Sequence, residues 1–272
     1  MLKQLTKVKK KTEFQLPSDV PTFDDAWFAR NVTYLTTPSQ IEASASALLA
    51  KFELDATDNF ITIELGLDLE WFVPTVNGRA IGPGGETDLI QVAYYEEEEG
   101  VVKVLLYHIT NITSLPLPLK RLLSHPQTRF TGSNVSGDLA RLNRGHLDLD
   151  LDVRTKAVDL ETMAKRRGVV LASKGLDGIC YSLFGRRVSK CDRLENWNQR
   201  TLPIKLKKYA ALDAAWSLTA DRKLRLMKDF VERLSPSQIT GGMLKLCSVK
   251  DAALQLVLLL KIRRHGTTCH RI

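Results

Sequence analysis

The sequence predicts an α/β domain with a mixed central sheet flanked by helices, and three observations predict it. Apolar and polar residues alternate from Phe60 to Trp71, which is typical of a strand with one buried face. Two more strand-like segments, Asp88–Tyr95 and Val101–Ile109, are joined by an acidic turn and form a predicted hairpin. Helical and strand-like segments then alternate before a helical end, an order that fits such a domain.

The other elements follow from local signals in chain order. A short strand at residues 32–35 precedes a helix that opens at Thr37-Pro38-Ser39 and runs to about Phe52. Glycine and asparagine between residues 77 and 85 predict a flexible loop. We then predict a helix at 117–124, a strand at 127–131, a helix beginning at 138, a strand at 153–158, and helices at 160–167 and 176–184. A long helix starts near Pro203 and runs to about Leu234, with a break near Thr219.

Positive charge is concentrated at the two ends of this 272-residue chain. Residues 1–12 carry +5 and residues 233–272 carry +6, so the rest carries −3 because the whole chain carries +8. We therefore predict three parts: a basic, disordered segment at 1–22, a domain at 23–232 and a basic, helical appendage at 233–272. A basic end either contacts a phosphate backbone or is a solvated tail, and charge alone does not choose between them.

Several classes of protein are not expected from this composition. The chain has neither an apolar run of about 18 residues nor an apolar signal region, so membrane insertion and secretion are not expected. The four cysteines form no Cys-x-x-Cys pair and are expected to be free thiols in a reducing, intracellular compartment. The lysine run Lys7–Lys11 favours the nucleus. No phosphate-binding Gly-x-x-x-x-Gly-Lys-[Ser/Thr] motif is present, which excludes ATPases of that kind.

Acidic residues in three separate segments predict one site. In the strand, Asp68 and Glu70 point to the face opposite the leucines, at the end of the strand. Asp138 follows a Gly/Asn-rich turn between a strand and a helix. Tyr209 and Asp213 are four residues apart on the long helix, so they lie on one face. Carboxylates held on rigid elements are suitable ligands for Mg²⁺ or Mn²⁺.

Each of these features also has an ordinary explanation when it is taken alone. An Asp-x-Glu pair is common at a strand end, and Asp138 could lie in the first helical turn, where the helix dipole favours an acid. Tyr209 could be a core aromatic residue with its hydroxyl at the rim. Trp71 could stack on a base or pack in the core. Their occurrence together and in this order favours a shared site.

These motifs resemble those of the 3′–5′ exonucleases that use four acidic residues and a tyrosine, with the Werner-syndrome-type exonuclease domain most similar and RNase D more distant. Asp68-Leu-Glu-Trp71 is similar to the first motif and Gly132–Asp138 to the second. Tyr209-Ala-Ala-Leu-Asp213-Ala is similar to the third. Further matches are Leu89-Ile-Gln91, Gly175-Leu176 and Asn196-Trp197. The resemblance covers residues 32–230, and the loop at Gly82–Gly85 looks like an insertion.

The resemblance implies an RNase H-like fold and a 3′–5′ exonuclease that releases nucleoside 5′-monophosphates with two Mg²⁺ or Mn²⁺ ions. In that scheme Asp68 bridges both ions, Glu70 and Asp213 bind the ion on the side of the attacking water, and Asp138 binds the other. Tyr209 orients the water. The partner is a nucleic acid with a 3′ end, either DNA or RNA, and no protein partner is implied.

Four more residues are expected to contact nucleic acid because of their positions next to the motifs. They are Trp71, Asn134, Gly137 and Lys208. The alternative function is a nucleic-acid-binding adapter that keeps the fold but does not cut. The presence of all four acids and the tyrosine weighs against that alternative.

Overall fold

A computed structural model describes residues 20–54, 62–77, 79–82, 84–145, 148–189 and 191–227. The lysine run at 7–11 and the appendage at 233–272 lie outside the described residues. The disordered segment, the helical appendage, the nuclear location and the boundaries at 23 and 232 therefore stay predictions.

Eight strands are present among the described residues. In chain order they are β1 (Val32–Leu35), β2 (Ile63–Glu70), β3 (Thr75–Val76), β4 (Arg79–Ala80), β5 (Leu89–Glu96), β6 (Val101–His108), β7 (Thr128–Gly132) and β8 (Ala157–Asp159). Six of them form one sheet in the order β1-β6-β5-β2-β7-β8, and β3 and β4 form a separate hairpin. In the sheet β2 is antiparallel to β5 and parallel to β7. The predicted mixed sheet is therefore confirmed, and β2 lies inside it.

Helices cover both faces of this sheet. They are α1 (Asp25–Asn31), α2 (Pro38–Lys51), α3 (Leu117–Ser124), α4 (Val135–Arg144), α5 (Val153–Lys156), α6 (Leu160–Arg166), α7 (Leu176–Phe184) and α8 (Ile204–Leu226). On one face α2, α3 and α4 pack against the odd-numbered leucines of β2, which are fully buried. On the other face α8 packs against β5 and β6. None of the helices in the described part of the chain is long and apolar enough to cross a lipid bilayer.

The structure differs from the predicted elements in α8 and in the segment at 153–158. The break expected near Thr219 is absent, and the Thr219 hydroxyl instead donates to the Ala215 carbonyl at 2.8 Å within a continuous α8. Helix α8 ends at Leu226, and the predicted end at Leu234 lies outside the described residues. The strand predicted at 153–158 is a short helix followed by β8, because the Asp152 side chain caps that helix.

Other differences are smaller. Helix α4 begins at Val135, three residues before the predicted start at Asp138. Strand β4 lies in the expected flexible loop and pairs with β3, which lies just before that loop. Helix α1 was not predicted. Cys180 and Cys191 are free thiols, as expected.

One glycine allows α8 to lie against β2 at very short range. A Cβ atom at Gly66 would lie 2.5 Å from the Ala214 carbonyl oxygen and 3.0 Å from Ala93 Cβ. The helix is also rich in alanine where it crosses the sheet, so its backbone rests on the strand. The residue before Ala214 is Asp213, and the contact therefore brings this acid to the end of β2.

We predict that Gly66→Ala lowers the free energy of unfolding by about 1–3 kcal/mol, because the new methyl group meets a backbone carbonyl that moves only with α8. Urea unfolding checks this result. Gly85→Ala is the matched control, since its Cβ would lie 3.6 Å from the nearest atom, the Phe72 carbonyl oxygen. Equal loss of stability in both variants would contradict the close-approach explanation.

Candidate active site

Three of the predicted acids meet where the end of β2 lies under α8. Asp68 and Glu70 point to the same side of the sheet as Gly66, which is the side that α8 covers. One carboxylate oxygen from each of Asp68, Glu70 and Asp213 lies within 4.8 Å of the other two. This spacing allows them to share one cation.

Asp138 reaches the same cavity from the segment after β7, because β7 is parallel to β2 and the two strands end at the same edge of the sheet. That strand ends at Gly132, where a Cβ would lie 2.7 Å from the Leu67 carbonyl oxygen, so the turn packs tightly against β2. Asn134 then takes a left-handed conformation (φ 66°), and α4 begins. Asp138 lies in the first turn of α4, is nearly fully buried and lines the cavity. It stands outside the compact group of three.

Burial makes these carboxyl groups difficult to ionise. It raises the pKa of Asp68 to about 7 and that of Asp138 to about 8. Burial, followed by repulsion from Asp68 and Asp213, raises the pKa of Glu70 well above its usual value. A divalent cation would offset this repulsion, and four hard oxygen donors are the ligand set that Mg²⁺ and Mn²⁺ prefer. The residues therefore fit the metal ions that the sequence predicts.

Tyr209 lies one helical turn before Asp213. It is nearly fully buried, and its ring packs against Trp197 with 6.0 Å between ring centroids. Its hydroxyl is hydrogen-bonded to Asp213, and burial together with the neighbouring acids raises its pKa far above the usual value. The hydroxyl therefore stays protonated and remains a hydrogen-bond donor at neutral pH.

Arg193 faces the acids from the segment between α7 and α8, and no motif in the sequence predicts this position. It is exposed and lines the same cavity. Its positive charge lowers the pKa of Asp68, Glu70 and Asp138, although burial outweighs this effect at each carboxyl group. An isolated arginine in an irregular segment has no periodic signal, and its position four residues before Trp197 was the available clue.

Trp71 is held by packing at the rim of the cavity. The Arg141 guanidinium lies 3.7 Å from the centroid of its ring, and Arg141 Nη1 donates to the Gly85 carbonyl at 2.7 Å. A methyl group on Gly84 would lie 2.6 Å from the indole Cδ1 atom. These contacts favour the packing role over base stacking, because a base on the arginine side would have to displace the guanidinium.

The other residues predicted to contact nucleic acid lie in two places, the acidic cavity and a groove next to it. Asn134 is exposed and lines the acidic cavity, and its side chain lies over Gly137, where a Cβ would be 2.5 Å from Asn134 Nδ2. Lys208 instead lines an adjoining groove, and its Nζ atom forms an ion pair with Asp25 at 2.7 Å. Arg187 and Lys205 line the same groove.

The acidic cavity has a volume of about 340 Å³, and apolar residues form parts of its walls. Val73 and Ala80 contribute from the β3–β4 region, and Leu194 contributes from the Arg193 segment. A larger cavity of about 580 Å³ lies near Phe23 and Leu226, but no acidic residue lines it. The chemistry therefore belongs to the smaller cavity.

Comparison with known proteins gives consistent results. A family model described as 3′–5′ exonuclease matches residues 32–228. A 3′–5′ exonuclease of Drosophila ananassae is 26% identical over 187 residues, which are 67% of this chain and 48% of the relative. The bifunctional 3′–5′ exonuclease/ATP-dependent helicase WRN of Mus musculus is 27% identical over 207 residues, which are 73% of this chain and 14% of that protein. The chain thus spans about half the length of the fly relative and much less of the mouse protein.

Solved structures share the fold at low sequence identity. The Nibbler EXO domain of Aedes aegypti has a TM-score of 0.54 at 16% identity, covering 74% of this chain and 88% of that one. Trypanosoma brucei RNase D in complex with GMP has a TM-score of 0.55 at 19% identity, covering 76% and 63%. The predicted RNase H-like fold is therefore confirmed.

We predict that Asp68→Asn stabilises the metal-free protein at pH 8 by about 1–3 kcal/mol. A carboxyl group with a raised folded-state pKa keeps its proton in the folded state while the unfolded state loses it. Stability therefore falls as pH rises from about 4 to about 7, the pKa of folded Asp68. Asparagine removes this loss and can still accept the Leu69 N–H bond.

Thermal unfolding in a chelator at pH 4 and pH 8 measures this effect, with about 2–4 °C expected for each kcal/mol. The difference between the two proteins should be small at pH 4, because folded Asp68 is neutral there and the aspartate of the unfolded state is only about half ionised. A variant that is less stable than the parent at pH 8 without metal would contradict the raised pKa of buried Asp68.

Proposed function

Because the chain belongs to the 3′–5′ exonuclease family, we propose that it hydrolyses the phosphodiester bond at the 3′ end of a nucleic acid and releases a nucleoside 5′-monophosphate. The observation that carries the proposal is the meeting of carboxylates from β2 and α8 beside a buried, protonated tyrosine. The nucleic acid is the substrate, and either DNA or RNA fits the chemistry. Asn134 and the adjoining groove at Lys208 are candidate contacts to the strand.

Asp68, Glu70 and Asp213 would hold a Mg²⁺ or Mn²⁺ ion in common, and Asp138 would help to hold a second one. When bound, two such ions would supply Lewis-acid chemistry: they would neutralise the charge of the phosphate and stabilise the negative charge on the attacking and leaving oxygens. The three acids that would share the first ion are held in fixed positions. Asp68 and Glu70 lie on β2, and Asp213 lies on α8, which packs closely against Gly66 of that strand. Rigid placement of this kind is what a metal site requires.

Tyr209 would orient the attacking water. Its hydroxyl is held by Asp213 and stays protonated, so it can position a water molecule without removing its proton. The water oxygen forms a bond to phosphorus and gives up a proton to solvent. The bond between phosphorus and the 3′ oxygen of the preceding nucleotide breaks, and that oxygen takes up a proton from solvent to become a 3′ hydroxyl. Arg193 on the facing wall adds positive charge for the phosphate.

The proposal predicts that Asp213→Asn reduces degradation of a 5′-labelled strand by about 10²-fold or more, because one ligand of the shared cation loses its charge. The assay uses matched DNA and RNA duplexes with recessed 3′ ends in Mg²⁺. The parent should give a ladder of progressively shorter labelled strands, and a chelator should abolish it.

Asp221→Asn is the matched control for this test. Asp221 lies two turns further along α8, is fully buried and pairs with Arg225 at 2.7 Å, but it lies outside the cavity. It should retain activity. A parent protein that binds the duplexes and leaves them intact would support the non-cutting adapter instead.

We predict that Tyr209→Phe slows the chemical step by about 10²–10⁴-fold while substrate binding stays nearly unchanged. The ring keeps its packing against Trp197, and only the hydroxyl is lost. Single-turnover kinetics measures the rate and titration in Ca²⁺ measures the binding. Tyr107→Phe is the control, because it removes another buried hydroxyl, which contacts Ser44 at 3.4 Å. Equal rates in parent and Tyr209→Phe would return Tyr209 to a packing role.

A further inference from the structure

A buried polar side chain lies beneath the acidic cluster and has no part in the mechanism above. Gln91 of β5 is fully buried. Among the described residues, neither its Oε1 nor its Nε2 atom has a hydrogen-bond partner. Leaving a buried amide unpaired costs about 1–3 kcal/mol, so an apolar residue would be the more stable choice at this position. The presence of an amide at this buried position therefore indicates a role other than stability.

The sheet register places Gln91 directly beside Asp68. The two residues are opposite each other in the antiparallel ladder between β2 and β5. Opposed residues point to the same face, with their Cβ atoms about 4.5–5.5 Å apart. The next pair on this face of the sheet, Gly66 and Ala93, lies directly under α8. The Gln91 side chain thus lies on the face of the sheet that α8 covers, next to Asp68.

The residues around Gln91 also belong to the wall behind the site. Leu89 and Ala93, which flank Gln91 on the same face, pack in one cluster with Tyr209 and Trp197. The Trp197 Nε1 atom is fully buried and, like the amide, lacks a partner within the described residues. This wall therefore contains an unpaired acceptor and two unpaired donors in an otherwise apolar region.

A carboxylate that binds cations still has lone pairs to satisfy. A carboxylate offers about four acceptor positions, and Asp68 uses one of them for the Leu69 N–H. A donor bonds more strongly to an ionised carboxylate than to a protonated one. A carboxylate that binds a cation is ionised, so the remaining lone pairs of Asp68 would bond well to an N–H donor such as an amide.

From these observations we infer that Gln91 is a positioning residue for Asp68, with its Nε2 amide donating to the Asp68 carboxylate, directly or through one buried water, when the cations are bound. This inference rests on the proposed function, because it needs Asp68 to be a metal ligand. Groups that hydrogen-bond to metal ligands typically change metal affinity by about 10–100-fold when they are removed.

The test replaces the amide and keeps its volume. Gln91→Met in the full chain should weaken Mn²⁺ binding by about 10–100-fold in the absence of nucleic acid, as measured by calorimetry and by the spin-resonance signal of free Mn²⁺. The metal-free variant should be as stable as the parent or more so, because an unpaired amide is gone. Saturating Mn²⁺ should restore most of kcat. Gln91→Leu repeats the measurement if the methionine does not fit.

Thr131→Val is the matched control. Thr131 of β7 is also fully buried, and its hydroxyl also lacks a partner in the described part of the chain. This variant should bind Mn²⁺ like the parent. Parental affinity in Gln91→Met, or equal weakening in both variants, would overturn the inference and leave the proposed function standing. A parent that binds no Mn²⁺ would overturn both.

Discussion

The contact between Gly66 and the Ala214 carbonyl lets the backbone of α8 rest directly on β2, and the site depends on it. The strand supplies Asp68 and Glu70 on the face that the helix covers, and the helix supplies Asp213 from the residue next to the contact. Any side chain at position 66 would separate the two elements. The spacing of the carboxylates is therefore a consequence of backbone packing rather than of side-chain flexibility.

The same contact brings acidic side chains close together in a buried place, and this arrangement makes them difficult to ionise. Acids held this close and this well buried have raised pKa values, so the metal-free protein contains groups that resist ionisation. Arg193 offsets part of the charge from the facing wall. Cations would offset the rest, which is why a stable fold and a metal-binding site can share these residues. The buried acids lower the stability of the metal-free protein, a cost that is common where residues serve binding or catalysis.

Much of this arrangement could be predicted from the sequence because it follows from periodicity. The alternation in β2 places Asp68 and Glu70 on one face, and the four-residue spacing on α8 places Tyr209 beside Asp213. The limits of α3 and α7 agree with the prediction, since proline and glycine mark them. What could not be predicted depends on contacts between distant segments. The packing of Arg141 on Trp71 and the position of Arg193 have no local signal.

The central claim is that the Gly66 contact assembles a cation site from β2 and α8. Anomalous X-ray scattering from a crystal of the protein soaked in Mn²⁺ tests it most directly. The account predicts a Mn²⁺ peak within coordination distance of Asp68, Glu70 and Asp213. A well-ordered site with no peak between these three carboxylates, or with Mn²⁺ bound elsewhere in the protein, would contradict it.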